Sequence, residues 1–319
     1  MNIVILDGFT ANPGDLSWDF LKKYGELTVY DRTPPQKVIS RAENADIVII
    51  NKTPLTAELI SALPRLRLVA LLATGYNVVD CAECSKRGIL VANIPSYSVS
   101  AVAQQVFAFI LEYANRIGEH SASVLSGEWA GYPDFCYQKA PLSELCGKTL
   151  GIIGFGRIGQ RVAQIGSAFE MTVLANTAHP ERHSGGGVSF TGLPELLSRS
   201  DFVTLHCPLT PQTQGMVNAE FIAQMKDGAF LVNTSRGAEL DEAAVAAALN
   251  SGKLGGAGVD VLSTEPPCRD NPLLHAKNIF ITPHIAWAPF ETRRRLMGVL
   301  EENISAFISG KPINIVNMQ

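Results

Sequence analysis

Short apolar runs separated by helix-length segments recur along the whole chain, and that alternation leaves few folds open. In the first part the runs are residues 3–6, 47–50, 68–72 and 89–92. They are continuous and rich in branched side chains, as strands buried on both faces of a parallel sheet are. Residues 56–63 have helical character and stop at Pro64. A second series follows at 150–153, 171–174, 202–205, 230–232, 258–261 and 279–281. Strands alternating with helix-length segments imply βαβ units and an α/β fold of doubly wound parallel sheets. Two series imply two such domains, which a length of 319 residues accommodates.

Between the series, residues 100–117 form a long apolar segment without Gly or Pro, expected to be a buried or interdomain helix. Residues 128–142 read as irregular, with Trp129, Tyr132, Phe135 and Tyr137. Aromatics there fit either a subunit interface or packing within the chain. Residues 289–310 read as one amphipathic helix, with Arg293, Arg294 and Arg295 expected on a solvated face. The stretch after residue 281 is too short for a domain, so it is expected to cross back and complete the first one. The expected domains are therefore 1–98 with 288–319, and 99–287.

A net charge of −4 without a basic run argues against a nucleic-acid surface. No apolar stretch approaches the roughly 20 residues that span a bilayer. The opening Met1-Asn-Ile-Val-Ile-Leu-Asp7 lacks a basic n-region and reads as a strand, so a cytoplasmic location without membrane attachment is expected. Six cysteines fit a reducing compartment. Cys81-Ala-Glu-Cys84 is a CxxC, but no second pair or nearby His accompanies it. It reads as two small residues of a short helix before Gly88, and no metal site is expected.

Gly154-Phe-Gly-Arg-Ile-Gly159 follows the strand at 150–153 and opens a helix, the context that a dinucleotide fingerprint requires. Gly154 permits the tight turn, Gly156 lets the backbone approach a pyrophosphate, and Gly159 lets the helix pack on the strand. The helix N-terminus offers N–H groups to the phosphates, and Arg157 adds a charge. The following strand ends Leu174-Ala-Asn-Thr-Ala-His179, with no carboxylate before Glu181. Asn176 or Thr177 can bond a ribose hydroxyl without repelling a 2′-phosphate, and Arg182 lies close by. NAD(H) and NADP(H) both stay open.

Three chemically suited residues follow strand ends of the second series, where α/β sheets collect ligand sites. Arg236 lies in Val232-Asn-Thr-Ser-Arg-Gly237, Glu265 stands before Pro266, and His284 follows Ile281-Thr-Pro283. Reduction of a 2-oxo acid needs a hydride, a proton donor and a carboxylate ligand. A His supplies the proton near neutral pH, a carboxylate on its other nitrogen fixes the tautomer, and an Arg binds a carboxylate bidentately. The other histidines, His120, His179, His183 and His275, read as structural, and His206 at a strand end stays ambiguous.

With these motifs in order, the chain resembles the D-isomer-specific 2-hydroxyacid dehydrogenases along nearly its whole length. The likeness includes Ala73-Thr-Gly75-Tyr-Asn77, Val78-Val-Asp80, Asn93-Ile-Pro95, Val102-Ala-Gln-Gln105, His206-Cys-Pro-Leu-Thr210 and Gly258-Val-Asp260. It implies a Rossmann NAD(P)-binding domain, a flavodoxin-like substrate-binding domain, an active site in the cleft between them, and a homodimer. It implies that Arg236 binds the substrate carboxylate and carbonyl, that His284 is the acid/base, and that Glu265 orients it. Backbone N–H groups of Thr74 and Gly75 would hold the carboxylate. Thr234, Asp260 and the turn at Cys207 and Pro208 would line the cofactor, together with Val102, Ile158 and His284. Two positions depart from the family pattern. Thr177, preceded by Asn176, stands where a ribose-binding Asp is usual, and Gln104 replaces a common Glu. Within the family, the ending His284-Ile-Ala-Trp287 and the Leu6-Asp-Gly8 start are similar to glycerate dehydrogenases, which implies hydroxypyruvate or glyoxylate as the 2-oxo acid. The same fold also serves dinucleotide-sensing corepressors, a binding alternative that predicts little or no turnover.

Overall fold

The apolar runs become parallel strands in two separate sheets. The computed structural model describes residues 1–183 and 186–318. The chain divides into two compact units, Met1–Ser98 with Ala288–Gln319, and Val99–Trp287.

In the first unit, strands β1 (Asn2–Ile5), β2 (Glu26–Val29), β3 (Ile47–Ile50), β4 (Leu68–Leu71) and β5 (Leu90–Ala92) alternate with helices α1 (Val38–Ala42), α2 (Ala57–Ser61) and α3 (Cys81–Lys86). The order is β2-β1-β3-β4-β5 with every pair parallel, the flavodoxin-like arrangement. Every position of β3 and β4 is buried, which is why both read as unbroken apolar runs. Strand β2 is absent from those runs. It lies at the sheet edge with no fully buried position, so nothing demands apolar residues there. Helix α3 starts at Asp80, whose Oδ1 accepts the Glu83 N–H at 2.9 Å, a side-chain N-cap. Its Cys84 is buried, and burial pushes that thiol up to about 12, which disfavours the reactive thiolate.

The C-terminal helix, Phe290–Ile308, belongs to this unit and buries Leu296, Leu300 and Ile304 at helical spacing. One expectation fails here. Arg293 is not solvated: it is 7% exposed and grips Asp15 bidentately, with both N–O distances 2.6 Å. Its Nε also donates to the Ala288 carbonyl at 2.8 Å. The hydrogen bonds from Arg293 hold the Asp15 carboxyl below the usual carboxylate range. Arg294 and Arg295 are exposed.

The second unit opens with α4 (Val99–Asn115) and α5 (Ile117–Leu125), which break at Arg116 in a left-handed conformation (φ +51°). Then come β6 (Thr149–Ile153), α6 (Arg157–Ala168), β7 (Thr172–Asn176), β8 (Val188–Phe190), α7 (Leu193–Arg199), β9 (Phe202–Leu205), α8 (Ala219–Gln224), β10 (Ala229–Asn233), α9 (Glu242–Ser251), β11 (Leu254–Val259) and β12 (Ile279–Ile281). The order is β12-β11-β10-β9-β6-β7-β8, all parallel. Counting from β6, this is the dinucleotide-binding order with a seventh strand added, and the order in which strands are added reverses between β6 and β9. One core cluster includes Phe107 and Ile110 of α4, Val162 of α6 and Phe230 of β10, whose ring stacks on Tyr113 at 4.3 Å. Another gathers Leu196, Phe221 and Leu249 of α7, α8 and α9.

Strand β11 corrects the expected 258–261. It begins four residues earlier, at Leu254, and ends at Val259. Gly255 and Gly256 weaken the strand signal of that stretch in the sequence. In the sheet they give room to Tyr113, and at Gly258 a Cβ would run into the Phe109 ring. The glycines let α4 lie directly on the strand. The irregular stretch 128–142 contains one 3-10 turn, Trp129–Gly131. It is partly pinned within the chain: Tyr137 Oη meets Ser123 Oγ at 2.5 Å, and the Lys139 N–H donates to His120 Nε2 at 3.1 Å. Phe135 and Leu125 stay 88% and 85% exposed. Among the described residues, no helix is long and apolar enough to cross a membrane, and no group of three His, Cys, Asp or Glu could hold a metal ion.

Candidate active site

The fingerprint glycines have distinct structural reasons. Gly154 has φ +94°, and a Cβ there would come within 2.5 Å of Cys207 N and His206 C, where the chain leaving β6 passes the chain leaving β9. A Cβ on Gly159 would strike the Gly154 carbonyl. Gly156 has open space where its Cβ would be and caps α6 without any side-chain hydrogen bond. An uncapped helix N-terminus facing open space fits a pyrophosphate. Arg157 at the first helical position is exposed, and Ile158 packs against the core. Val102 is buried on α4.

At the end of β7, Asn176 Nδ2 donates to the Thr191 carbonyl at 3.0 Å. Thr177 Oγ1 accepts the His179 N–H at 3.5 Å. The first carboxylate, Glu181, lies 3.3 Å from His179 Nδ1 and 3.9 Å from Arg182 Nε. All three side chains are more than half exposed, so these contacts are weak.

After β9, His206 Nε2 meets Thr204 Oγ1 at 2.8 Å. The residue is only half-buried, yet desolvation of its ring pushes the pKa down to about 3, so it is neutral near pH 7 and a poor proton donor. After β10, the fully buried Asn233 shapes the Arg236 turn. Its Oδ1 accepts the Ser235 N–H and its Nδ2 donates to the Arg236 carbonyl, both at 2.9 Å. Arg236 is thereby exposed, with Nη1 on the Ser235 carbonyl at 2.7 Å. Thr234 Oγ1 is buried with no partner among the described residues, an orphan that a bound cofactor amide or hydroxyl would satisfy.

Asp260, 1% exposed at the end of β11, braces the loop that carries His284. Its carboxylate accepts Thr282 Oγ1 at 2.5 Å and the N–H groups of Ile285 and Ala286 at 2.9 Å. Its carbonyl accepts the His284 N–H at 2.8 Å. His284 itself is left-handed (φ +55°), a conformation rare outside Gly and found where surroundings over-determine the backbone. The ring turns Nδ1 to Glu265 Oε2 at 2.6 Å, and Glu265 Oε1 accepts the Leu262 N–H at 3.1 Å. This leaves Nε2 as the nitrogen available for proton exchange.

The neighbouring strands β10, β11 and β12 thus deliver Arg236, Asp260 with Glu265, and His284 from one end of the sheet. Sequence reasoning missed Asn233 as the former of the Arg236 turn and Asp260 as the brace of the His284 loop. An Asx residue at a strand end was the available signal for both. In the first unit, Thr74 follows β4, with Oγ1 on the Ile94 carbonyl and its own carbonyl accepting Asn93 Nδ2, both at 2.7 Å. Gly75 is the next residue.

Comparison with known proteins gives a consistent picture. A family model described as D-isomer specific 2-hydroxyacid dehydrogenase, NAD binding domain, matches residues 107–286. The hydroxypyruvate reductase of Blautia hydrogenotrophica is 50% identical, over 99% of this chain and 100% of that protein. The glycerate dehydrogenase of Methylorubrum extorquens is 38% identical, over 98% of each. The D-lactate dehydrogenase of Aquifex aeolicus, solved with NAD and lactic acid, has a TM-score of 0.84 at 31% identity and is covered, like this chain, at 100%.

Proposed function

The chain belongs to the D-isomer specific 2-hydroxyacid dehydrogenases, NAD(P)-dependent oxidoreductases acting on a CH–OH group, and we propose that it reduces hydroxypyruvate or glyoxylate, to D-glycerate or glycolate. The observation that carries this reading is the His284–Glu265 pair at 2.6 Å on a loop braced by Asp260. The name and the 50% identity of the Blautia relative favour hydroxypyruvate as the substrate.

A nicotinamide cofactor held by the residues named below would supply the hydride. The residues of this chain do the rest. Arg236 binds the carboxylate and polarises the carbonyl with a planar fork of donors. His284 delivers a proton from Nε2 to the carbonyl oxygen, while Glu265 holds Nδ1 and so keeps the ring aimed. In the same proposal, the N–H groups of Thr74 and Gly75 also hold the carboxylate. Gly154, Gly156, Arg157 and Gly159 receive the pyrophosphate. Asn176 and Thr177 meet the ribose, and Thr234, Cys207 and Pro208 line the nicotinamide end. Neither Asn176 nor Thr177 would repel a 2′-phosphate, so NADH and NADPH are both substrates to test.

We further propose a homodimer formed through the exposed apolar residues Ile117, Val124, Leu125, Trp129 and Phe135. A cytoplasmic setting suits its cysteines, which are all thiols.

The deciding experiment follows nicotinamide absorbance with hydroxypyruvate and glyoxylate, with NADH and NADPH in parallel. Rapid oxidation is expected with at least one pair. Silence with these and with larger 2-oxo acids would overturn the reading in favour of a dinucleotide-sensing binding protein.

A further inference from the structure

One buried carboxyl has no part in the chemistry so far. Glu239 ends the 3-10 turn Gly237–Glu239 directly after Arg236 and is 0% exposed. Its Oε1 accepts Ser235 Oγ at 3.1 Å and lies 3.6 Å from Cys207 Sγ. Its Oε2 has no partner among the described residues. A buried polar atom without a partner is destabilising, so the group calls for a reason.

Ser235 supplies it. Its hydroxyl has one proton and two acceptors, the Cys207 carbonyl at 2.7 Å and Glu239 Oε1 at 3.1 Å. When Glu239 carries a proton it can donate to Ser235 Oγ, and Ser235 can then donate to Cys207. The turn after β9 is tied to the turn after β10. When Glu239 is ionised, the carboxylate draws the Ser235 proton to itself and the Cys207 carbonyl loses its donor. Arg236 sits inside this arrangement: its carbonyl accepts the Glu239 N–H at 3.2 Å and its Nη1 holds the Ser235 carbonyl.

The titratable groups facing Glu239 are the Cys207 thiol, from the turn after β9, and the Arg236 guanidinium, from its own turn. Burial, followed by the Glu239 charge, pushes the Cys207 thiol up to about 12, so it stays protonated. The strip 208–218, which brings Met216 and Val217 to this place, has no charged residue. Asp241 and Glu242, next in the chain, are engaged with Ala244, Ser263 and Asn271. Burial pushes Glu239 up to about 7, the range in which the proton is exchanged near neutrality.

We propose that Glu239 is a positioning residue for the substrate carboxylate: with its proton it ties the Arg236 turn to the Cys207 turn through Ser235, and without it the tie opens and substrate affinity falls. The proposal rests on Arg236 as the carboxylate ligand.

The test is the pH dependence of KM and kcat for hydroxypyruvate in wild type, Glu239→Gln and Ser235→Ala. Wild-type KM should rise about fivefold across neutrality, the effect of one net hydrogen bond, with a smaller change in kcat. Glu239→Gln keeps a donor toward Ser235 at every pH, so its KM should stay at the acid-side value. Ser235→Ala should have the high KM throughout. An equal step in Glu239→Gln, or no step in wild type, overturns the proposal. Infrared difference spectra give a readout independent of turnover: a protonated carboxyl signal should titrate near neutrality and vanish in Glu239→Gln, and its absence overturns the proposal. Were hydroxypyruvate not reduced at all, the substrate reading would fail by itself. The dissociation constant of oxalate would then decide: a step absent from Glu239→Gln supports the tie, and no step overturns it.

Discussion

His284 carries two constraints, a carboxylate on one ring nitrogen and a left-handed backbone beneath it. Replacing it by Ala removes the proton donor and should lower kcat by about 10²- to 10⁴-fold, while NADH affinity, read by fluorescence, changes little. Normal turnover in that variant would remove the acid/base role. Arg236→Lys keeps the charge but loses the planar fork, so KM for the 2-oxo acid should rise much more than kcat falls. Equal loss of substrate and cofactor affinity would instead mark Arg236 as structural. Arg236, Glu265 and His284 were legible in the sequence because chemistry-bearing residues stood after apolar runs. Glu239 was not, because a lone Glu in Arg-Gly-Ala-Glu-Leu reads as an ordinary surface acid. Only the fold shows that the 3-10 turn folds it inward against Cys207 and Ser235.

Strand β11 is governed by what lies on top of it. A Cβ on Gly258 would meet the Phe109 ring of α4, so Gly258→Ala should destabilise the unit by about 1–3 kcal/mol, as overpacking does. Urea unfolding measures this, and an unchanged midpoint would mean that α4 yields freely. The same glycines explain why the strand was misread by position: period and propensity register the residue, not the helix that requires its absence of side chain. Strand β2 was missed for the opposite reason, since an edge with one solvated flank tolerates polar residues. The central strands β3, β4, β9 and β10 were legible because both their faces are covered and their composition has no freedom.

Across the whole molecule, one buried and one half-buried group set opposing trends of stability with pH. Glu239 titrates at about 7 when folded against 4.5 in the unfolded chain, so the folded state holds the proton more tightly. Stability from this group is full at low pH and is lost as pH rises from about 4.5 to about 7, by roughly 3 kcal/mol. His206 runs the other way: folded about 3 against 6.5 unfolded, its contribution is full above about 6.5 and is lost as pH falls toward 3. Glu239→Gln should therefore be more stable than wild type at about pH 8, and His206→Gln should resist acid better. Unfolding midpoints across pH check both, and parallel curves for variant and wild type would refute them. The proposed dimer makes a separate prediction: charges at both Leu125 and Phe135 should halve the mass seen by sedimentation, without loss of secondary structure. Which aromatics of 128–142 are exposed was the part least legible in the sequence, because an exposed aromatic and a packed one look alike until the fold exposes Phe135 and pins Tyr137.

The first unit is assembled from chain on both sides of the second. During synthesis, all of Val99–Trp287 therefore emerges before the helix that buries Leu296, Leu300 and Ile304 exists. The second unit can close while the ribosome is still working, as domains generally do. Chain up to Ser98 must wait, its Asp15 without Arg293, until Ala288–Gln319 has followed. A stalled or prematurely ended chain would then present a finished cofactor-binding half beside an unfinished one, and quality control would meet the molecule from its oldest end.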